Sequence, residues 1–267
     1  HPEHFDNLIW YKGRADTVGL LYPYYYSKMA YDGFKSIGRD DIITLTRCAY
    51  LGSQKFGSLV WSGDIESTFE SLACQVKAGL NMSMCGIPWW NTDIGGFYGA
   101  DITSDYFKEL IVRWFQFGLF SPVMRLHGSR NRHFEPTPGL KEPSGDPNEI
   151  WSFGEKNFEI LKNLIFIREK LKPYIITQMD IASEQGYPVM RPMFFEYPDD
   201  ETCYALDSQY MFGDDIIFAP VVEQGQTKKS VYIPDGEWIL TKDKKIYTKG
   251  TYEITAEIDE FIAFVKK

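Results

Sequence analysis

Short apolar runs alternate along the chain with longer segments in which apolar residues recur every three or four positions. The short runs, which are typical of β-strands, occupy residues 42–47, 58–64, 82–87 and 122–128. The longer segments, which predict helices, occupy residues 22–37, 66–79, 107–117 and 151–182. Thr103 or Ser104 is expected to cap the third of these helices. This order predicts the α/β class, with parallel strands joined by crossover helices.

Four strands are too few to close a parallel barrel, and a parallel sheet needs cover on both faces. We therefore predict that residues 1–186 are the second half of a (β/α)8 barrel. From residue 187 onward, β-rich segments alternate with polar turns such as PDG and KDKK. This pattern predicts a small antiparallel β-sandwich domain over residues 187–267.

Composition narrows the classes of partner. The 267 residues include 28 Lys and Arg against 37 Asp and Glu, a formal net charge of −9. Because nucleic acids and anionic membrane surfaces require a basic field, neither is an expected partner.

No uninterrupted apolar run reaches the ~18 residues of a membrane span. The first residues show no signal peptide, which favours the cytoplasm and leaves a signal further upstream open. The four cysteines show no CxxC spacing, so neither a zinc ribbon nor a disulfide framework is predicted.

Polar side chains follow each of the four predicted strands. Arg47 ends the first strand, Asp64 the second, Asp93 follows the third, and Arg125 and His127 end the fourth. In α/β barrels the catalytic residues lie at the C-terminal ends of the strands. The sequence therefore predicts a catalytic or binding site at this edge of the sheet.

Each acidic or basic candidate has a functional and a structural interpretation. Trp61 lies close to Asp64, and an apolar wall favours the protonated carboxyl that a general acid needs at neutral pH. Asp64 could instead cap the helix that begins near Glu66. Asp93 could orient sugar hydroxyls or form an Asx-turn. Arg47 could hold a carboxylate or a sugar hydroxyl, or make a structural salt bridge.

His127 is a candidate hydroxyl donor or base, with a hydrogen-bonded residue at the barrel mouth as the structural alternative. It also forms a loose H-x5-H-x-E cluster with His133 and Glu135. That spacing matches no standard zinc motif, so no metal site is predicted. The chain is 16% aromatic, and stacking on sugar rings is one use for such side chains. Candidate walls of a sugar site are Trp61, Trp89, Trp90 and Phe97, with core packing as the alternative for each. No phosphate loop, GxSxG motif or cofactor signature is present, and no cofactor is expected.

Four blocks together resemble glycoside hydrolase family 31, from about Gly19 to the C-terminus. They are LTRCAYLGSQKFGSLVWSGDIESTFESL, AGLNMSMCGIPWWNTDIGGF, RWFQFGLFSPVMRLHG and QYMFGDDIIFAPV. The chain looks most like the α-xylosidase and α-glucosidase branch. The resemblance implies a retaining α-glycosidase that acts on the non-reducing ends of oligosaccharides.

By position in these motifs, Asp64 matches the general acid/base of the family. Arg47 matches an arginine that contacts both the substrate and the catalytic carboxylates. The residues that match binding and wall positions of the sugar subsite are Trp61, Asp93, Phe97 and His127.

One departure from the family pattern is important. The family's nucleophile belongs to a motif of the form LDxxEP, and this sequence has no such motif. We therefore expect the nucleophile upstream of residue 1, and the isolated chain to be inactive. The missing half of the barrel, or another copy of this chain, is the expected partner. A non-catalytic sugar-binding fragment, an α-transglycosylase of the same fold, and a metal-dependent hydrolase remain the alternatives.

Overall fold

The computed structural model describes residues 7–131 and 146–267. Its α-helices are α1 (Ala15–Val18), α2 (Tyr22–Ser36), α3 (Phe69–Met84), α4 (Asp105–Leu119), α5 (Glu155–Gln185) and α6 (Met193–Glu196). Its 3₁₀ helices are Gly19–Leu21, Ser53–Phe56, Ile150–Phe153 and Glu201–Ala205. Its strands are β1 (Ile9–Trp10), β2 (Gly13–Arg14), β3 (Thr44–Thr46), β4 (Ser58–Trp61), β5 (Trp90–Asn91), β6 (Met190–Pro192), β7 (Tyr210–Phe212), β8 (Ile216–Phe218), β9 (Lys228–Ile233), β10 (Trp238–Leu240), β11 (Ile246–Tyr247), β12 (Gly250–Thr255) and β13 (Ala263–Lys266).

A parallel sheet forms the centre of the first region. β4 lies between β3 and β5, and all three strands run parallel. A parallel bridge between Ile94 and Leu126 adds the segment predicted as the fourth strand. α3 connects β4 to β5, and α4 follows β5, so these two connections are helical crossovers, whereas β3 and β4 are joined through the 3₁₀ helix Ser53–Phe56. The predicted fold class, the C-terminal half of a (β/α)8 barrel, is confirmed.

The strand predicted at residues 82–87 is wrong, because α3 continues through Met84 and the third strand is Trp90–Asn91. Gly86 adopts a φ of +75° and its N–H donates to the Ser83 carbonyl, while the Ile87 N–H donates to the Met82 carbonyl. These two bonds and the left-handed glycine form a Schellman motif, which satisfies the last carbonyls of a helix. The apolar residues of this run therefore close a helix and do not begin a strand.

The helix α4 is buried along most of its length. Ser104 is its N-cap, and the Ser104 hydroxyl accepts a hydrogen bond from the Phe107 N–H at 3.1 Å. The prediction of Thr103 or Ser104 as cap is thus resolved in favour of Ser104. Leu110 and Trp114 are fully buried in the core that α4 shares with the sheet and with α5. A helix that is enclosed on several sides has apolar residues around most of its circumference.

The second region consists of two antiparallel sheets. One has six strands in the order β11-β10-β13-β8-β7-β6, and the other pairs β12 with β9. The predicted antiparallel architecture is confirmed. The domain boundary between residues 186 and 187 stays a prediction, although Gly186, with a φ of +82°, ends α5 at that point.

One hydrophobic core extends across both regions, and the second region has a further core of its own. The rings of Phe120 and Phe218 stack with centroids 4.3 Å apart, and the Tyr210 hydroxyl donates to the Phe120 carbonyl at 2.9 Å. The buried Arg113 guanidinium donates to main-chain carbonyls of the second region, including that of Ala256 at 3.0 Å. The C-terminal sheets therefore hold the helices of the half-barrel at a fixed position.

The first region exposes several large apolar side chains on α2 and near β3. Met29 on α2 and Ile43 and Leu45 beside or within β3 are each more than two-fifths exposed. Exposed large apolar side chains of this kind commonly mark an interface. Among the described residues, no helix is both long and apolar enough to cross a bilayer.

Candidate active site

The parallel direction of the strands brings the predicted polar residues to one edge of the sheet. Arg47 directly follows β3, Asp64 follows β4 by three residues, and Asp93 follows β5 by two. Arg125 and His127 flank Leu126, whose bridge to Ile94 places them beside the β5 loop. The described structure therefore assembles these side chains from four separate segments.

Arg47 and Asp64 form an ion pair at this edge. The Arg47 Nη1 atom lies 3.4 Å from the Asp64 Oδ2 atom, and the side chains are 63% and 41% exposed. Gly63 has a φ of +81°, and a β-carbon at this position would lie 3.6 Å from the Arg47 guanidinium. The chain thus turns here in a conformation that favours glycine, which carries Asp64 out of the strand and into solvent. The apolar enclosure predicted for Asp64 from Trp61 is not seen.

The alternative role of Asp64 as a helix cap is also wrong. Thr68 is the N-cap of α3, and the Thr68 hydroxyl accepts from the Ser71 N–H at 3.1 Å. Asp64 lies four positions before this cap in the sequence. Asp64 is therefore free of the structural role that the sequence allowed for it.

Asp93 is completely buried, unlike Asp64. Arg125 donates from Nη1 to Asp93 Oδ1, whereas Asp93 Oδ2 has no hydrogen-bond partner among the described residues. Burial raises the pKa of the Asp93 carboxyl, and the electrostatic influence of Arg125 and of His127 opposes that change. The turn bond from the Gly96 N–H goes to the main-chain oxygen of Asp93 at 2.9 Å, so the carboxylate itself is not used in an Asx-turn.

The aromatic candidates divide between the site and the core. The rings of Phe97 and His127 lie 5.8 Å apart at an angle of 32°, and His127 is exposed. Trp61 lines a cavity of about 410 Å³ together with Arg47. Trp90 is buried against α3, where a β-carbon on Gly79 would come within 2.8 Å of its ring, so Trp90 is a core residue.

The possible metal cluster is only partly visible. His133 and Glu135 lie outside the described residues, so their placement beside His127 is untested. Within residues 7–131 and 146–267, no group of three His, Cys, Asp or Glu side chains is arranged to hold a metal ion.

One residue at this edge has a role that the sequence pattern does not predict. Arg125 ends the fourth predicted strand, and in the structure it is the cation that faces the buried Asp93. In the extended segment MRLHG successive side chains point to opposite sides, so Arg125 lies on the same side as His127. This alternation is the sequence feature that places Arg125 in the site.

Family models match this chain along nearly its whole length. The glycosyl hydrolases family 31 TIM-barrel domain matches residues 6–178, and the glycosyl hydrolase family 31 C-terminal domain matches residues 186–267. The chain belongs to glycosyl hydrolase family 31. The resemblance noted from its motifs is therefore confirmed.

Relatives within family 31 have several activities. The chain is 36% identical to an α-xylosidase of Saccharolobus solfataricus over 81% of its length, and 37% identical to an isomaltosyltransferase of Sporosarcina globispora over 97%. Among solved structures, a family 31 α-xylosidase from a soil metagenome, complexed with xylose, superposes with a TM-score of 0.92 at 43% identity and covers 98% of this chain. The chain spans 28%, 24% and 40% of the lengths of these three proteins, respectively.

Proposed function

We propose that this chain is the acid/base and sugar-binding half of a retaining α-glycosidase that removes α-xylosyl or α-glucosyl residues from the non-reducing ends of oligosaccharides. One observation carries the proposal. An accessible carboxylate, Asp64, is paired with Arg47 at the same strand edge that buries a second carboxylate, Asp93. Retaining glycosidases need an accessible acid/base, and hydroxyl binding needs oriented acceptors.

In this proposal Asp64 handles the protons of both steps. It donates a proton to the leaving glycosidic oxygen, and its carboxylate then takes a proton from the water that attacks the glycosyl-enzyme intermediate. The Arg47 guanidinium, 3.4 Å away, restrains the orientation of the carboxylate and favours the ionised form of a neighbouring nucleophile. Their exposure leaves both groups within reach of a substrate.

The remaining site residues bind the sugar. Asp93 binds a sugar hydroxyl through Oδ2, which is buried without a partner in the described structure and must become accessible when the sugar binds. His127 supplies a second polar contact, and the adjacent Phe97 ring offers an apolar face to the C–H groups of the sugar. Trp61 forms the wall on the Arg47 side.

The nucleophile comes from outside the strands described here. A retaining mechanism needs a second carboxyl about 5–5.5 Å from the first, and we assign it to the half of the barrel that precedes β3. The exposed Met29, Ile43 and Leu45 support pairing with that half. A second copy of the chain is the alternative partner for this face.

Hydrolysis of aryl α-xylosides and α-glucosides tests the proposal. The chain alone should be inactive, and the chain assembled with its nucleophile-bearing half should hydrolyse one of the two. Asp64→Asn should lower kcat in that assembly by about 10²- to 10⁴-fold, the usual contribution of an acid/base. Asp32→Asn, which alters an exposed carboxylate on α2, is the matched control and should leave kcat unchanged. Hydrolysis by the isolated chain that Asp64→Asn abolishes would contradict the assignment of the nucleophile.

Sugar binding is tested separately from catalysis. Calorimetric titration of the chain with xylose and with isomaltose should show saturable binding that His127→Ala weakens. Binding that survives while the assembled protein remains inactive would favour the non-catalytic sugar-binding alternative.

A transglycosylase is the second candidate, because the isomaltosyltransferase relative matches nearly the whole chain. Transfer uses the same residues, with a sugar hydroxyl in place of water as the second acceptor. Product analysis with an excess of acceptor oligosaccharide distinguishes the two reactions, since transfer yields sugars longer than the acceptor, whereas hydrolysis yields a monosaccharide and the shortened substrate.

A further inference from the structure

Arg130 is a buried arginine behind the candidate site. It is 2% exposed, and its guanidinium donates to acceptors on three separate segments. The acceptors and distances are Gly96 O at 2.8 Å, Gly95 O at 3.3 Å, Ile94 O at 3.3 Å, Ser67 Oγ at 3.3 Å and Asn148 Oδ1 at 2.7 Å. One side chain thus joins the segments that follow β4 and β5 to a third segment near residue 148.

Glycines provide the space that this side chain occupies. A β-carbon on Gly95 would lie 3.0 Å from Arg130 Nη2, and one on Gly128 would lie 2.7 Å from the same atom. The Phe107 ring covers the guanidinium, with its centroid 4.8 Å from Cζ. This enclosure lowers the pKa of Arg130 to about 10 by burial, so the group remains charged at neutral pH.

The segments that Arg130 holds carry the proposed site residues. Ile94, Gly95 and Gly96 lie between Asp93 and Phe97 in the sequence. The Phe97 N–H donates to the Ile65 carbonyl at 2.7 Å, so the Phe97 loop is also joined to the residue that follows Asp64. Because planar guanidinium groups donate in fixed directions, Arg130 restrains several carbonyls at once.

We propose that Arg130 is a positioning residue for the sugar site, which fixes residues 94–97 relative to the segment after Asp64 and so sets the orientation of Asp93 and Phe97. This inference rests on the proposed function for the role of those two side chains. The constraint itself, on residues 94–97, does not depend on it.

Arg130→Lys tests the inference, and Arg168→Lys is its matched control. Arg168 is a half-buried arginine whose guanidinium also donates to main-chain carbonyls, those of Leu119, Ser121 and Pro122, and burial lowers its pKa to about 10 as well. A lysine ammonium keeps the charge and lacks the planar set of donors. Both variants therefore remove a guanidinium that donates to several main-chain carbonyls, and only Arg130→Lys does so behind the site.

Amide hydrogen exchange is the first measurement, and it needs no sugar. Arg130→Lys should speed exchange at the Gly96, Phe97 and Ser129 amides by about tenfold, the effect of losing one charge-assisted hydrogen bond. Arg168→Lys should leave these three amides at their wild-type rates. Equal acceleration in both variants, or none in Arg130→Lys, overturns the inference.

Sugar affinity is the second measurement. The Kd for xylose or isomaltose should rise about tenfold in Arg130→Lys and stay unchanged in Arg168→Lys. An unchanged Kd with faster exchange shows that the constraint does not reach the site and overturns the positioning role. If the wild-type chain binds neither sugar, the proposed function fails, and the exchange measurement still decides whether Arg130 fixes residues 94–97.

Asn148→Ala covers the case in which Arg130→Lys does not fold. This change removes only the 2.7 Å bond to Arg130 Nε and leaves the other acceptors in place. It should speed exchange at the same three amides, by a smaller factor. If Arg130→Lys does not fold and the three amides of Asn148→Ala exchange at their wild-type rates, Arg130 has a purely structural role and the inference is overturned.

Discussion

Replacing Arg125 with Gln should destabilise the folded chain in a way that depends on pH. The Asp93 carboxylate that Arg125 faces has no exposed surface, and the Arg125 side chain is 27% exposed. Breaking a buried ion pair by removing one partner costs about 3–5 kcal/mol, because the other charge stays buried without compensation. Since Arg125 is partly exposed to water, we expect the lower end, about 3 kcal/mol of unfolding free energy at pH 8.

The sign of the pH dependence follows from Asp93. Burial raises its pKa, so the folded chain binds this proton more tightly than the unfolded chain does. This tighter proton binding stabilises the folded chain at acid pH. The stabilisation is lost as the pH rises from the ordinary pKa of an aspartate, about 3.9, through the higher pKa that Asp93 has in the folded chain. Loss of the Arg125 charge raises the folded value further. The deficit of Arg125→Gln should therefore shrink by about 1.4 kcal/mol or more between pH 8 and pH 5.

Urea unfolding at pH 5 and pH 8, followed by tryptophan fluorescence, measures this deficit. The same substitution in an Asp93→Asn background completes a double-mutant cycle, in which Arg125→Gln should cost less than about 1 kcal/mol at either pH. Lys28→Gln, which breaks the exposed pair with Asp32, is the control and should cost less than about 0.5 kcal/mol. An equal deficit at both pH values, or one that Asp93→Asn does not reduce, would refute the reasoning.

Three further outcomes follow from single contacts. Thr68→Ala should lower the unfolding free energy by about 1 kcal/mol, because it removes the cap of α3. Asp64→Asn should change the unfolding free energy by less than about 1 kcal/mol, because the ion pair with Arg47 is exposed. If urea unfolding shows the larger loss for Asp64→Asn, Asp64 is the cap after all. Gly96→Ala should lower the unfolding free energy by about 2–4 kcal/mol, because its β-carbon would lie 2.6 Å from Ser67 Cα at a φ of +75°. Gly99→Ala, at a φ of +86° with open space around it, should lower the unfolding free energy by only about 1 kcal/mol. Equal unfolding midpoints for the two variants would contradict this. Cys203 is buried, and burial raises the pKa of its thiol to about 11. A thiol reagent at pH 7.5 should therefore label the exposed Cys48, Cys74 and Cys85 quickly, and Cys203 only after unfolding. Mass spectrometry of samples taken over time measures the labelling of each cysteine.

The parallel strands and their polar ends could be predicted because they follow from local patterns. Apolar runs that end in Arg47 and Asp64 mark strand ends, and parallel strands bring those ends to a common edge. The third strand could not be found in this way. β5 contains two residues, too few for any periodicity, while the preceding run continues the helical spacing of Leu72, Val76 and Leu80.

Buried arginines were the other feature beyond the reach of the sequence. Arg130 belongs to GSRNRHFE, a polar segment that predicts an exposed loop. Its burial depends on the space left by Gly95 and Gly128 and on carbonyls from residues 94–96, which are more than thirty positions away. Contacts over such separations leave no local signal, so composition and periodicity could not assign this residue to the site.

Strand register explains why the aromatic residues divide between core and site. Val60 pairs with Trp90 and Trp61 pairs with Asn91, and successive side chains alternate between the two faces of a sheet. Trp90 therefore faces the helices with Val60, while Trp61 and Asn91 share the opposite face. Both polar atoms of the Asn91 side-chain amide are buried on that opposite face without a hydrogen-bond partner in the described structure. Asp93 Oδ2, two residues beyond the strand, is likewise buried without a partner there. Each such atom costs about 1–3 kcal/mol, and proteins accept that cost mainly where function requires it. Three partnerless buried polar atoms at one strand edge thus support the proposal that this edge binds the hydroxyl groups of a sugar.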